Sequence, residues 1–354
     1  MKKAVLLSFL LCLALACTAC AGGDMQPSPT PDAATEAPQD ANLPQLPEDI
    51  RVDQNGVPVL NVYVQSEDKI DEMGLEEYLG GVLAGEMKND WPEEALKAQA
   101  ILARTFVLKF LMEKKSMYEG ADISTDIREA QAYDAEGVNE RIRAAVKDTR
   151  GMVACYQNEP IYAWFHAHSG GKTDTAENGL DYQQAAPYTQ VTDGNESESA
   201  PQDAAQWSTQ FTEAEVIQAV ADAGLKLDGG IETVQAGAKD DSGRVGEILL
   251  NGQPVSANEF RIAIGSTKMK STLLTHIAYS DGTLALSGRG YGHGVGMSQW
   301  GAYGMAQAGS TAEEIVTYFW TACGASERSY IVAGAGSGFR ARLKKHVEKN
   351  KKGG

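Results

Sequence analysis

Three short stretches of this 354-residue chain carry side chains able to do chemistry together. The densest is Gly288-Arg-Gly-Tyr-Gly-His-Gly-Val-Gly-Met-Ser-Gln-Trp-Gly301, where alternate glycines surround His293, Ser298 and Gln299. Alternate glycines permit positive φ and let a backbone approach a ligand closely. The run lacks the lysine of a phosphate-binding loop, and its spacing is not that of the dinucleotide fingerprint. Its plain alternative is a tight β corner built of buried glycines. The second stretch is His166-Ala-His168 followed by Ser169, Gly170 and Gly171. Two histidines at i, i+2 on a strand share a face and invite a metal. A zinc site needs three or four ligands, however, and the nearest cysteine, Cys155, is on an earlier segment. No Gly-x-Ser-x-Gly elbow marks Ser169 as a nucleophile. The third candidate is Glu86, set among Val82, Leu83, Ala84, Met87 and Trp91. Burial there would raise its pKa, as a general acid working near neutral pH requires. From position alone, the simpler reading is an exposed glutamate at a helix end.

The elements that position these residues can be read from periodicity. Val52, Val57, Val59, Leu60, Val62 and Val64 around Gly56-Val-Pro58 predict short strands and a turn. Leu75, Leu79, Val82, Leu83 and Met87 recur at helical spacing, and Lys88-Asn-Asp90 ends that helix. Asp90 as cap, Pro92 in the first turn and Glu93 completing an Asp-x-x-Glu box predict a second helix to about Met112. Glu86 then stands at the corner of a helical hairpin. Ile161 to His168 reads as a strand entering the Ser169-Gly-Gly turn, and Glu196–Gln206 as a polar surface loop. Phe211 to Ala223 reads as a helix capped by Thr212. From Val234 to Leu286, β-prone runs alternate with turn signals at Asp241-Ser-Gly243, Asn251-Gly252 and Asp281-Gly282. A last helix is expected near Ala312–Tyr318, and no internal repeat is found.

Composition sets the class. The chain is 43% hydrophobic and 22% charged, which suits a globular protein and excludes a collagenous or mainly disordered one. A net charge of −17 repels phosphate, so no nucleic-acid partner is expected. Three of the five cysteines crowd into the first twenty residues, leaving Cys155 and Cys323 for at most one bridge. Lys2 and Lys3, an apolar run from Ala4 to Ala16 and Thr18-Ala19-Cys20 describe a secretory signal of lipoprotein type. Cys20 is the expected lipidation site and Cys17 the fallback; the plain alternative is a signal cut near Ala19 or Ala21. The apolar run falls short of the roughly 20 residues of a membrane-spanning helix. Residues 21–48, with Pro27, Pro29, Pro31, Pro38, Pro44 and Pro47, read as a disordered tether. Residues 336–354 read as a basic tail: from Phe339 onward they hold seven Lys or Arg and one Glu.

Taken in order, the motifs resemble one known family. Glu77-Tyr-Leu-Gly-Gly-Val-Leu-Ala-Gly-Glu-Met87 and Trp91-Pro-Glu-Glu-Ala-Leu-Lys-Ala-Gln-Ala-Ile-Leu-Ala-Arg-Thr105 resemble the opening signature of the stage II sporulation protein D family. Phe165-His-Ala-His-Ser-Gly-Gly-Lys-Thr173 is similar to its central motif. Gly243-Arg-Val245, Glu259-Phe-Arg261, Lys270-Ser-Thr272 and Gly290 to Ala302 are similar to its later ones. The resemblance covers roughly Pro58 to Tyr330 and assigns 49–335 to the family's domain.

That resemblance implies a peptidoglycan lytic transglycosylase, which cuts between N-acetylmuramic acid and N-acetylglucosamine and leaves a 1,6-anhydro end. The implied fold is α+β, a helix-rich catalytic region around a cleft with an inserted antiparallel, hairpin-rich β lobe. Glu86 is the implied acid and base. Arg104, His166, Ser169, Gly170, Gly171, Thr173, His293, Ser298 and Gln299 are expected to bind substrate or steady the site, with an ordinary structural arginine the equal alternative at Arg104. The Gly288–Gly301 run is expected to wall a groove, with His293 and Gln299 turned towards Glu86 and His166. Some relatives carry zinc through His and Cys near the central motif; this chain lacks those cysteines, so no cofactor or metal is expected. The implied partners are denuded glycan strands, a sporulation amidase, a membrane scaffold and, through the lipid anchor, the membrane itself. The implied location is extracytoplasmic, facing the wall. Two rival classes stand beside the enzyme: a non-catalytic wall-binding or amidase-enhancing module, and a metal-dependent hydrolase using His166 and His168.

Overall fold

Inward Leu60, Val62 and Val64 alternate with half-buried Asn61 and Tyr63, which makes a strand with one face for the core. In the computed structural model, residues 50–320 are described, except 55, 56, 158, 225 and 228, together with 47, 332 and 333. The signal with Cys17 and Cys20, all of the tether but Pro47, Cys323 and the basic tail lie outside the described residues.

Strand β1 (Arg51–Val52) pairs with β2 (Pro58–Val64), and β2 with β3 (Lys69–Gly74), both antiparallel. Helices α1 (Leu75–Glu86) and α2 (Glu93–Glu113) form the expected hairpin. The Asp90 box does not form. Pro92, extended at ψ 139, is the N-cap without a side-chain bond, and Glu93 and Glu94 turn to Lys97 instead. Next come β4 (Ile123–Ser124), parallel to β2, and α3 (Glu140–Asp148), whose first turn is capped by the Asn139 side chain. Then follow β5 (Val153–Tyr156), β6 (Glu159–Pro160), β7 (Phe165–His166) and α4 (Ala176–Leu180). The strand expected over Ile161–His168 shrinks to β7, because the Trp164 N–H folds back onto the Tyr162 carbonyl at 2.9 Å.

A second core belongs to the inserted lobe. It comprises α5 (Gln202–Ala205), β8 (Gln206–Thr212), α6 (Glu213–Asp222), β9 (Val234–Ala236), β10 (Glu247–Leu250), β11 (Gln253–Ser256), α7 (Ala257–Gly265), β12 (Leu274–Ser280) and β13 (Thr283–Arg289). The strands form two antiparallel sheets, ordered β11-β10-β9 and β12-β13-β8. Asn251-Gly252 and Asp281-Gly282 close two-residue hairpins with positive φ at both positions, as a type I′ turn demands. Thr212 caps α6 in a full capping box with Glu215, but Phe211 is the last inward residue of β8, not helical. Phe211, Phe260, Ile248, Leu284 and Leu286 are all at most 1% exposed and bind α6 and α7 to the sheets. The lobe is thus hairpin-rich and antiparallel as expected, with α7 as an unanticipated helix.

The chain returns to the first core through β14 (Met297–Ser298), α8 (Gln299–Gln307) and α9 (Ala312–Phe319), and β15 (Val332–Ala333) pairs with β5. Helix α2 is the hub of that core, packing against α1, α3, α8 and α9. The architecture is α+β. No helix among the described residues is long and apolar enough to cross a membrane.

Candidate active site

Glu86 is the last residue of α1, half-buried where the helix gives way to extended Met87. Its neighbour Gly85 makes the site possible. A Cβ at Gly85 would lie 2.6 Å from the Ala132 carbonyl carbon and the Tyr133 nitrogen, so only glycine lets that segment cross the helix end. The crossing brings the Ala132 N–H to Glu86 Oε1 at 2.8 Å. Burial pushes the Glu86 carboxyl above its usual range, and the Ala132 N–H only partly opposes this. Oε2 has no hydrogen-bond partner among the described residues. A carboxyl with one anchored oxygen, one open oxygen and a raised pKa has the form of a general acid.

Gln299 reaches the same residue from the glycine-rich run, donating from Nε2 to the Glu86 carbonyl at 3.1 Å. The run itself wraps the central motif. β7 and β14 pair in parallel, Phe165 with Met297 and His166 with Ser298, and His168 bridges Tyr291. Gly290, Gly292, Gly294 and Gly296 all take positive φ. A Cβ at Gly290 would meet the His168 carbonyl at 2.7 Å, and one at Gly292 the His166 Cβ at 2.6 Å. The close approach served by these glycines is to the chain's own central motif, while Gly288 and Arg289 of the same run line a cleft along β8 and β13.

The two histidines meet each other, with ring centroids 5.8 Å apart. His166 Nδ1 lies 3.1 Å from the Val295 carbonyl, and His293 Nδ1 accepts the Val295 N–H at 3.0 Å. Nδ1 of His166 thus carries the proton, leaving its buried Nε2 as an acceptor without a partner. Burial depresses both pKa values, that of His293 to about 3, with the nearby Arg261 and Arg244 guanidinium groups adding to the effect on His293. Both rings are neutral at working pH.

Several residues expected to bind substrate are engaged internally. Thr173 donates to the Gln190 carbonyl at 2.8 Å. Ser169 Oγ accepts the Gly171 N–H, and Ser298 Oγ accepts the Gly301 N–H at the start of α8. All three residues have no exposed surface; Ser169 and Ser298 satisfy backbone two and three residues on, and Thr173 reaches across to the segment 17 residues away. Arg104 takes its structural alternative. Its Nε and Nη2 clasp the Glu76 carboxylate, while its other donors meet the Val146 and Met152 carbonyls. Glu76 opens α1 and Glu86 closes it, ten residues or about 15 Å away, so Arg104 ties helices rather than Glu86. Gly170 and open-faced Gly171 do line a cleft of about 440 Å³, with Lys172, Asp193 and Asp240 to Gly243. A larger cleft of about 580 Å³ lies along β8 and β13. Neither is lined by Glu86.

Two residues escaped the sequence reading. Glu196, placed there in a surface loop, turns inward: its Oε1 accepts the Ser169 N–H at 2.7 Å and the Ser298 hydroxyl at 2.8 Å. Its buried Oε2 stands 3.7 Å from His168 Nε2, which carries that ring's proton because Nδ1 accepts the Gly170 N–H. Arg244 is 1% exposed and holds the lobe to the central motif through the Ser169 and Lys172 carbonyls. Asp174 beside it, pushed to about 6 by burial, accepts from Ser242 and the Thr175 N–H; it is fully buried and so no rival to Glu86. Nothing in the spacing of Glu196 marks it, whereas Arg244 lies in the quoted Gly-Arg-Val motif.

The Glu196 geometry predicts unequal variants. Glu196→Ala strands two buried donors and should cost about 2 kcal/mol or more in urea unfolding. Glu196→Gln keeps an oxygen for both donors and should cost less than about 1 kcal/mol. Equal losses would show that the shared acceptor is not what holds the two motifs.

Zinc needs three or four ligands. Among the described residues no group of three or more His, Cys, Asp or Glu is placed to hold an ion. His166 Nε2 is an open acceptor, but the Nε2 of His168 carries its proton towards Glu196, so the pair offers a single free ring nitrogen. These residues do not fit the metal.

Comparison with known proteins gives this arrangement a lineage. Residues 63–156 match the family profile described as SpoIID, Stage II sporulation protein. Stage II sporulation protein D of Bacillus subtilis (strain 168) is 30% identical over 279 residues, covering 75% of this chain and 78% of that protein. The chain belongs to the stage II sporulation protein D family. An uncharacterized protein of Brachyspira hyodysenteriae is 31% identical over 265 residues, 71% of this chain, and the match spans 66% of that relative's length. A Bacillus subtilis protein named amidase enhancer is 26% identical over 286 residues, 68% of this chain and 39% of that protein. The family match begins within β2 and ends at β5, so it contains Glu86, Gly85 and the Ala132 crossing.

Proposed function

We propose that this protein is a peptidoglycan lytic transglycosylase acting in cell-wall remodelling linked to sporulation. The observation that carries the reading is Glu86, half-buried and raised in pKa, with one oxygen held by Ala132 and the other open. Neutral Glu86 gives its proton to the glycosidic oxygen between N-acetylmuramic acid and N-acetylglucosamine as an oxocarbenium-like centre develops. The carboxylate so formed takes the proton of the muramic acid 6-hydroxyl, whose oxygen bonds to the anomeric carbon. The products are a free N-acetylglucosamine 4-hydroxyl and a 1,6-anhydro end, and Glu86 is again neutral. A hydrolase would need a second carboxylate to activate water or to act as nucleophile. His166 and His293, neutral and paired, shape the motif around this step and do not exchange protons in it.

The same reading gives the protein a place outside the cytoplasm, anchored by lipid on Cys20, with denuded strands supplied by a partner amidase near a membrane scaffold. The signal features of residues 1–20 and the similarity to a protein named amidase enhancer support it. That similarity also favours a second reading, a module that binds strands or enhances an amidase without cutting. Incubating the purified protein with denuded glycan strands and analysing the fragments by mass separates the two. Anhydro ends are expected. Intact strands mean a binder, and reducing ends carrying oxygen from labelled water mean a hydrolase.

A further inference from the structure

Arg289 ends β13 with a fixed backbone and an uncommitted side chain. Its N–H donates to the Leu273 carbonyl at 3.1 Å, and its carbonyl accepts the Ser271 hydroxyl at 2.6 Å. A Cβ on Gly170 would lie 2.9 Å from the Arg289 carbonyl, so the central motif packs directly on this backbone. The guanidinium has no hydrogen bond or ion pair among the described residues, and the residue is exposed. That is unusual company in a chain of net charge −17. Three other cations of the lobe are engaged: Lys268 with Glu215, Lys239 with the Leu274 carbonyl, and Arg244 with the central motif.

Arg289 is among the residues that line both clefts. The cleft of about 580 Å³ is within the size range of small-ligand sites. Its floor is the polar face of the β12-β13-β8 sheet. Gln206 and Ser208 on β8 and Ser287 on β13 offer donors and acceptors in a row, with the 7%-exposed Trp207 beneath Gly288. In the larger cleft the acid, Asp203, is matched by Lys270 at 3.2 Å, which leaves the charge of Arg289 unbalanced there, while Asp193, Asp240 and Asp241 lie in the smaller cleft with Lys172. Amide and hydroxyl groups in a row suit sugar hydroxyl and acetamido groups. A planar guanidinium suits a carboxylate, which it grips with two parallel bonds.

We propose that Arg289 is the anchor of a subsite for a carboxylate-bearing sugar, the free lactyl group of a muramic acid along the strand. The inference rests on the glycan-cleaving reading of the protein and deepens it: Arg289 makes the protein select strands whose lactyl groups carry no peptide. The path from this subsite to the acid is short in connections. Gly170 adjoins Ser169, which shares the Glu196 oxygen with Ser298, and Gln299 follows Ser298 onto Glu86.

The test uses the full protein and two preparations of the same denuded strands, one free and one with lactyl carboxylates capped as methylamides. Wild type should show a KM about tenfold lower on free strands than on capped ones, the scale of a charge-assisted bond. R289Q should erase that difference by raising KM on free strands, and R289K should restore part of it. Because the Arg289 side chain has no partner to lose, R289Q should fold normally, which circular dichroism and urea unfolding check. Wild-type KM in R289Q on free strands, or equal KM for both preparations in wild type, overturns the proposal. If wild type cuts neither preparation, the transglycosylase reading fails, and co-sedimentation with the same strands decides the subsite. Preference for free strands that R289Q abolishes supports the subsite; equal pelleting overturns it.

Discussion

Glu86→Gln should lower the rate of strand cleavage by about 10² to 10⁴, the usual contribution of general acid–base catalysis, while strand binding persists. The amide keeps the shape of the side chain and leaves a carbonyl oxygen for the Ala132 N–H, now 2.8 Å from Oε1. What it loses is the exchangeable proton. The raised pKa of Glu86 also fixes the direction of the pH response. The step starts from the protonated carboxyl, so activity should be highest below that pKa and fall as pH rises through it. An ordinary carboxylate, by contrast, would lose its proton well below neutral pH. The rate is read as anhydro ends released, and binding by co-sedimentation of the inactive variant. Near-normal turnover in Glu86→Gln would place the acid elsewhere, and Glu177, exposed in the first turn of α4, would be examined next.

The α1–α2 hairpin was legible because its apolar positions repeat every three or four residues and Lys88-Asn-Asp90 breaks them. The two lobe hairpins were legible because Asn-Gly and Asp-Gly supply the positive φ their turns need. By contrast, β3 carries Lys69, Asp71 and Glu72 and has too few apolar residues to declare itself; it is paired by its neighbour β2. Glu86 was visible as a candidate only through the apolar residues around it. The partner that sets it, the backbone of Ala132, is 46 residues away and carries no side-chain signal. Glu196 was hidden for a related reason. Its function in the fold is to accept from Ser169 and Ser298, 27 and 102 residues distant, and a polar loop sequence looks the same whether it turns outward or inward.

The same long-range geometry makes Arg104 the residue whose loss should cost most stability. Its side chain is 1% exposed, its Nε reaches Glu76 Oε1 at 3.0 Å and its Nη2 reaches Oε2. Further donors meet the Met152 carbonyl at 3.1 Å and the Val146 carbonyl at 3.3 Å, so one guanidinium joins α1, α2, the end of α3 and the approach to β5. Removing one partner of such a buried pair typically costs about 3 to 5 kcal/mol, because charge and carbonyls are left without partners. Glu76 keeps 21% of its side-chain surface and can be partly rehydrated, which places Arg104→Ala towards the lower end of that range. Arg104→Lys retains the charge but not the paired geometry, and should lose less. A double-mutant cycle with Glu76→Gln, read by urea unfolding, should give a coupling energy of about 1 kcal/mol or more. Folded Arg104→Lys should cleave strands at a rate close to that of wild type, because Glu86 lies at the opposite end of α1. Additive stability losses would mean that the pair is not what binds these helices. A fall in cleavage by Arg104→Lys as steep as that of Glu86→Gln would place Arg104 in the catalytic centre.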